Sequence, residues 1–271
     1  MKSIARVRSL LFVPGSRPDR FAKAATSGAH AIALDLEDAV SPDDKPQARN
    51  AVATWLASDG KGIVRINAAD TPWHEADIDM LAQSPGTTVM LPKADAESIA
   101  RTTAALPDHA VIALVETVRG YKDLARIAAN HGVQRIAFGS IDFTAESGIA
   151  DIGDAMTSVR SAIVLESCFA GLAAPLDGVS TCLDDEAGIR NDALRSRQLG
   201  FGGKLCIHPR QVPAVNTAFM PTSQEVDWAQ RVLAAIEASD GGATAVDGKM
   251  IDKPVVEQAR TILADAAEGS R

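Results

Sequence analysis

The sequence predicts a closed (β/α)8 barrel with a C-terminal helical extension, and three observations lead there. Eight short apolar runs of strand length recur along the chain, and helical intervals with short connections separate them. No GxGxxG follows the first run, which removes the main sequence support for an open dinucleotide-binding sheet. Eight strand–helix units in 271 residues suit a closed barrel with a small addition better than a doubly wound sheet.

The runs lie at 9–13, 31–36, 62–66, 88–91, 111–115, 135–138, 173–176 and 204–207. Each is too short for a helix and is mainly apolar, as a strand covered on both faces should be. Helical spacing fills 17–27, 45–57, 73–83, 94–105, 120–131, 154–171 and 184–199; within the fifth, Leu124, Ile127 and Ala128 share a face. Proline or glycine marks most junctions, as at Pro14-Gly15, Pro42, Pro85-Gly86, Pro92, Pro107 and Gly132. The barrel domain is expected over 1–220 and the extension over 221–271. In the extension a helix at 223–238 precedes a small-residue loop, a strand-like segment at 245–250 and a last helix at 253–267. This tail exceeds what closing a barrel needs, so it wraps the monomer, swaps onto a neighbouring subunit, or covers the barrel mouth as a lid.

Composition narrows the function classes. Apolar residues make up 46% of the chain and aromatics 4%, as expected for many small-residue helices on a buried sheet. A net charge of −8 argues against nucleic acid or an anionic membrane as the main partner, while leaving room for a small anion on a local basic cluster. Cys168, Cys182 and Cys206 lack metal-ligand or CxxC spacing and read as reduced thiols. No run reaches membrane-span length and no signal h-region opens the chain, so a cytoplasmic protein is expected.

In a barrel the chemistry sits where strands end, and here nearly every strand delivers a polar or charged group to that rim. The first leads into Arg17, Arg20 and Lys23, the second into Asp35, Glu37 and Asp38, the third into Arg65 and Asn67, and the fourth into Lys93. The fifth ends in Glu116, the sixth leads to Asp142, the seventh to Asp177 and the eighth to His208. Loading one rim in this way points to an enzyme. Glu116 and Asp142 leave neighbouring parallel strands at one edge, where two carboxylates repel unless a cation lies between them. Hard oxygen ligands, few in number, suit Mg2+ with water and substrate completing the shell. Read from spacing alone, the same two residues serve equally as helix caps or surface charge. Arg65 serves as a fixed cation for a substrate or as the structural partner of Glu37 or Asp38.

The strings RSLLFVPGSRPDRFAKA, ALDLEDAV, RIN, LPKA, ALVET, FGSIDF and GGKLCIHPRQV, with GKMIDKPVVEQA in the tail, resemble the citrate lyase β-subunit-like family. That family includes malyl-CoA and citramalyl-CoA lyases and falls in the HpcH/HpaI aldolase superfamily. The resemblance implies a (β/α)8 TIM barrel, a homotrimer or hexamer, and Mg2+-dependent retro-Claisen cleavage of a 3-hydroxyacyl-CoA thioester. The products would be acetyl-CoA and a 2-oxoacid such as oxaloacetate, pyruvate or glyoxylate. By position, Glu116 and Asp142 match the metal ligands, and Arg65 matches the arginine holding the oxoacid. Glu37 and Asp38 lie near the metal through its waters and Arg65. Asp252 matches an acid–base aspartate donated from a neighbouring tail; it reads equally as a helix N-cap two residues before Pro254. Arg17, Lys23 and His208 match thioester contacts, although a solvated helix face and a hydrogen-bonded strand-end histidine account for them as well. The pyruvate-aldolase branch carries a histidine just after the acidic stretch, and Asp38-Ala39 offers none, which disfavours an aldolase for free 2-oxoacids. Two other readings are a citrate lyase β subunit acting on citryl-acyl-carrier protein and a trimeric scaffold without turnover.

Overall fold

The computed structural model describes residues 4–238 and 244–269. Contacts divide the chain into two units, Met1–Asn216 and Thr217–Arg271.

The first unit is a closed barrel of eight parallel strands in sequential order. They are β1 (Ser9–Pro14), β2 (Ala31–Asp35), β3 (Ile63–Arg65), β4 (Thr88–Leu91), β5 (Val111–Val115), β6 (Val133–Phe138), β7 (Ala173–Asp177) and β8 (Gly203–Cys206). Around them run α1 (Phe21–Ala25), α2 (Lys45–Ala57), α3 (His74–Ala82), α4 (Ala96–Ala105), α5 (Val118–Lys122) and α6 (Leu124–Ala128). The ring continues with α7 (Ser140–Ser147), α8 (Thr157–Phe169), α9 (Glu186–Gln198) and α10 (Gln211–Ala218). Alternate strand residues, among them Leu10, Ala33, Ile63, Met90, Ile112, Ala137, Leu176 and Leu205, fill the barrel interior. The opposite set meets the helices, so most strand residues are buried and most are apolar.

Four departures from the sequence expectation have local causes. The sixth strand stops at Phe138, and Ser140–Ser147 is a helix, so Asp142 stands in the first turn of α7 instead of at a strand end. Acidic residues are favoured in a first turn, and this placement uses that preference. The helix expected at 120–131 is two short ones, broken at Asp123, whose carboxylate reaches across to the start of α4 and accepts from Ala96 N at 3.1 Å. Residues 211–218 form α10, which carried no helical expectation.

The fourth departure lies in the second unit, which holds α11 (Ser223–Ala238), β9 (Thr244–Val246), β10 (Lys249–Ile251) and α12 (Lys253–Gly269). The expected strand at 245–250 is an antiparallel hairpin. Asp247 (φ 53°) and Gly248 (φ 76°) form its two-residue turn in the left-handed region, the Asp-Gly signature of a tight hairpin. Ala229, Val232, Ile251, Val256 and Ala259 form the small core of this unit. No described helix is long and apolar enough to cross a membrane.

Candidate active site

The C-terminal rim of the barrel brings together most of the polar groups that the strand ends deliver. β2 ends in Asp35, and its carboxylate is saturated. It accepts from Arg65 Nε and Nη2, each at 2.7 Å, and from the Glu37 and Ala39 amides at 2.9 and 3.1 Å. This two-point pairing fixes the guanidinium plane. Arg65 also stacks over the Phe12 ring at 4.7 Å and turns Nη1 toward Glu37 Oε2 at 2.9 Å and Asp38 Oδ2 at 3.5 Å. The Glu37 contact is an ion pair without hydrogen-bond alignment, because Oε2 has no hydrogen-bond donor. Burial alone would lower the Arg65 pKa, but the Asp35 hydrogen bonds and the Asp35, Glu37 and Asp38 charges hold it above its ordinary value. Arg65 is thus a permanent, rigid cation.

Across the rim, Glu116 follows β5 and is 2% exposed. Its Oε1 accepts from Lys93 N at 2.8 Å, and Lys93 takes a left-handed conformation (φ 47°) at this contact. Gly139 lies against its other side: a Cβ there would come within 2.5 Å of Glu116 Cβ and Oε2. Burial, then the negative charges of Glu37 and Asp142, push the Glu116 pKa up to about 8, with the Lys93 amide and Arg65 opposing. Glu37 rises to about 7, chiefly through burial, which the Arg65 charge opposes. These carboxyls therefore stand close together without enough positive charge to ionise freely. A divalent cation would supply it. Among the described residues no three His, Cys, Asp or Glu side chains are grouped to hold a metal alone. Glu116 and Asp142 fit a hard cation whose shell is finished by water and substrate oxygens.

A cleft of about 350 Å3 opens here, and its lining includes Phe12, Asp38, Arg65, Glu116, Asp142 and Ile207. The remaining candidates are placed elsewhere or otherwise engaged. Arg17 is exposed and paired with Asp19 through two hydrogen bonds of 2.9 and 2.8 Å, and Lys23 is exposed on α1. His208 Nδ1 accepts from Arg210 N at 3.2 Å, and the His208 amide donates to Gln211 Oε1. None of these three lines the cleft. Asp252 belongs to the second unit, where its Oδ1 accepts from Val255 N at 3.2 Å and caps α12. Asp177 pairs with Arg160.

Sequence reasoning missed Lys45 and Gly139. Lys45 Nζ, buried under the β2 exit, donates to Leu36 O (2.8 Å), Glu37 O (2.7 Å) and Asn67 Oδ1 (2.6 Å) and lies over Trp73. It clamps the turn that carries Glu37. A lysine in the first turn of a helix gives no sequence signal for such a role, whereas Phe138-Gly139-Ser140 at a strand exit marks a close approach that only glycine permits.

Comparison with known proteins identifies the family. Residues 8–209 match the model of the HpcH/HpaI aldolase/citrate lyase family. The chain belongs to that family. A citrate lyase subunit beta-like protein of Mycobacterium tuberculosis is 41% identical over 268 residues, 96% of each chain. A (3S)-malyl-CoA thioesterase of Cereibacter sphaeroides is 35% identical over 96% of this chain and 94% of its own. The crystal structure of CitE from M. tuberculosis with magnesium, acetoacetate and coenzyme A superposes with a TM-score of 0.85. That pair is 38% identical, with 97% of this chain and all of the other covered. The fold is the TIM barrel expected from the sequence, and family membership makes this protein a lyase.

Proposed function

We propose that this lyase cleaves a 3-hydroxyacyl-CoA thioester of the citryl, malyl or citramalyl type into acetyl-CoA and a 2-oxoacid. One observation carries the reading. Arg65, a fixed cation, lines the same cleft as Asp142 and Glu116, a buried carboxyl with its pKa pushed up to about 8. The mycobacterial relative's complex with magnesium, acetoacetate and coenzyme A supports the ligand classes. Glu116 and Asp142 would hold Mg2+, which supplies Lewis-acid polarisation of the oxygen that becomes the oxoacid carbonyl.

The chain's own groups then have separate tasks. Arg65 binds the oxoacid carboxylate end-on through Nη1, since Asp35 already holds Nε and Nη2. Cleavage removes the hydroxyl proton, breaks the C2–C3 bond and leaves the electron pair on C2 of the acyl thioester, where a proton must be returned. Glu37, with its raised pKa, and Asp38, exposed at the cleft, are the carboxyls beside Arg65 that accept or relay the hydroxyl proton. Asp252, from the tail of a neighbouring copy in a homotrimer or hexamer, returns the proton to C2. Arg17, Lys23 and His208 contact the CoA portion. The barrel over 1–220 would thus be completed by a separate tail at 221–271.

The test is product analysis on purified protein with malyl-, citramalyl- and citryl-CoA, with Mg2+ or with EDTA. The expected result is Mg2+-dependent appearance of acetyl-CoA and a 2-oxoacid in equal amounts, abolished in Glu116→Ala. Asp252→Asn, which retains a cap for α12, should lower kcat roughly 10²-fold or more as removal of an acid–base group does. Free CoA and malate without oxoacid would replace the reading with a thioesterase. Activity confined to a citryl-acyl-carrier protein would make this a citrate lyase β subunit.

A further inference from the structure

We infer that Gln211, the first residue of α10, is a positioning residue that holds one apolar wall of the active-site cleft at a set spacing. The inference rests on the reaction proposed above and extends it to the acyl-thioester end of the substrate. Gln211 is 1% exposed, and its side-chain amide bonds to backbone at three points. Oε1 accepts from Ile207 N at 2.9 Å and His208 N at 3.2 Å, and Nε2 donates to Ser180 O at 2.7 Å. The flipped amide would set Nε2 against two N–H groups, so only one orientation satisfies the site.

Part of this is ordinary helix capping. His208 Nδ1 accepts from Arg210 N at 3.2 Å, while Gln211 accepts from the His208 amide, the reciprocal pattern of a capping box. A cap needs no more than that. The bonds to Ile207 N and Ser180 O lie outside it: Ile207 precedes the capped turn, and Ser180 is 31 residues away in the loop after β7. Ser180 is anchored in turn by its hydroxyl, which donates to Asp192 Oδ2 on α9 at 2.8 Å. Gln211 therefore ties the exit of β8 to the exit of β7, and α9 holds the pair.

Both exits carry an apolar side chain to the cleft. Val179 precedes Ser180, Ile207 follows β8, and both line the cleft together with Arg65, Glu116 and Asp142. Ile207 is 44% exposed, so it has apolar surface to give to a ligand. In a sequential ring of eight strands, β7 and β8 stand across from β3 and β4, and this wall faces the strand that ends in Arg65. A substrate whose carboxylate meets Arg65 lays its uncharged acyl-thioester portion on the far wall, where Val179 and Ile207 offer apolar contact. Ile207, Pro209 and Arg210 are all exposed, so hydrogen bonds to Gln211, more than burial, fix this loop. Without them its amides bond to water, and the wall loses its spacing while the barrel core stays intact.

The experiment compares Gln211→Met with the parent protein, using whichever of malyl-, citramalyl- and citryl-CoA the parent cleaves. KM should rise roughly tenfold, as a lost apolar contact in a pocket does, with kcat held within about threefold and Mg2+ affinity within about twofold. In an Ile207→Ala background the same substitution should raise KM by less than about threefold, because its effect runs through that side chain. Hydrogen exchange of the 207–208 amides should speed roughly tenfold or more, with no substrate present. Should Gln211→Met fail to fold, Gln211→Asn, one methylene shorter and unable to reach both exits, carries the same expectations. A fall in kcat or Mg2+ affinity with KM unchanged, or full additivity with Ile207→Ala, would overturn the assignment and leave Gln211 a helix cap. Unchanged amide exchange would overturn it too. A parent that cleaves none of the thioesters would overturn the reaction reading and the role of the wall together, while the exchange rates still report whether the clamp exists.

Discussion

Arg65 and Arg135 are both buried guanidiniums of barrel strands, at opposite ends, and they are satisfied in opposite ways. Arg65, at the C-terminal end of β3, meets carboxylates and keeps one nitrogen toward an open cleft. Arg135, near the start of β6, meets only backbone. Its Nη1 donates to Ile4 O and Val7 O at 2.8 and 2.7 Å, and its Nε donates to Ala174 O at 2.6 Å. Burial without a counter-charge pushes the Arg135 pKa down to about 9, while carboxylate contacts hold Arg65 up. At the floor the arginine is a staple: its fork joins the chain before β1 to β7. At the rim it is a charge, held rigid so that a substrate meets it without reorganisation. Burial of a cation therefore says little about function; what satisfies the cation says much more.

The comparison breaks first at Arg65. Arg65→Lys keeps the charge and loses the fork, so kcat/KM should fall about 10³-fold, with Tm lowered by only a few degrees. A lysine variant with near-normal turnover would show that charge alone is needed. Arg135→Met should do the reverse. Three carbonyl oxygens lose their donor, relief of the buried charge offsets part of that, and the net loss is about 2–4 kcal/mol. Chemical denaturation measures it, and kcat of the folded fraction should stay within about threefold. A variant as stable as the parent would mean that the staple is dispensable. Gly139→Ala tests the rim wall: a Cβ 2.5 Å from Glu116 must displace the carboxylate, and Mg2+ affinity by titration should drop roughly 10–100-fold.

The same contrast explains what was legible in the sequence. Strand order and rim loading were, because apolar runs ending in charged residues repeat a pattern that only one end of a parallel barrel accommodates. Glu116 and Arg65 stood out as charges at the ends of dry strands. The partner of Arg65 did not, because Asp35, Glu37 and Asp38 are all within reach by spacing and only coordinates separate the two-point pairing to Asp35 from the looser contacts. The first-turn position of Asp142 was hidden because Gly139 ends the strand and Ser140-Ile141 continues an apolar pattern into a helix. The Asp247-Gly248 turn was readable, but a run of six residues scans as one strand unless the dipeptide is weighed above the run. Long-range satisfaction by backbone, as at Lys45 and Arg135, leaves no mark in the sequence at all.

The smallest effect is the most diagnostic, since it concerns charge without geometry. Glu116 and Glu37 carry folded-state pKa values near 8 and 7, above the ordinary carboxylate range. The folded protein without metal therefore binds protons more tightly than the unfolded chain. Its stability is greatest below about pH 4.5 as far as these groups are concerned, and it declines as pH rises through 7 and 8. Mg2+ binds the ionised form, so the Tm increment it gives should grow between pH 6 and pH 9. Glu116→Gln removes the charge and keeps the shape. At pH 8 it should stabilise the metal-free protein by roughly 1–2 kcal/mol and abolish the Mg2+ increment. Thermal unfolding with EDTA and with Mg2+ at three pH values measures both. An increment independent of pH, or one retained in Glu116→Gln, would move the cation away from this carboxylate.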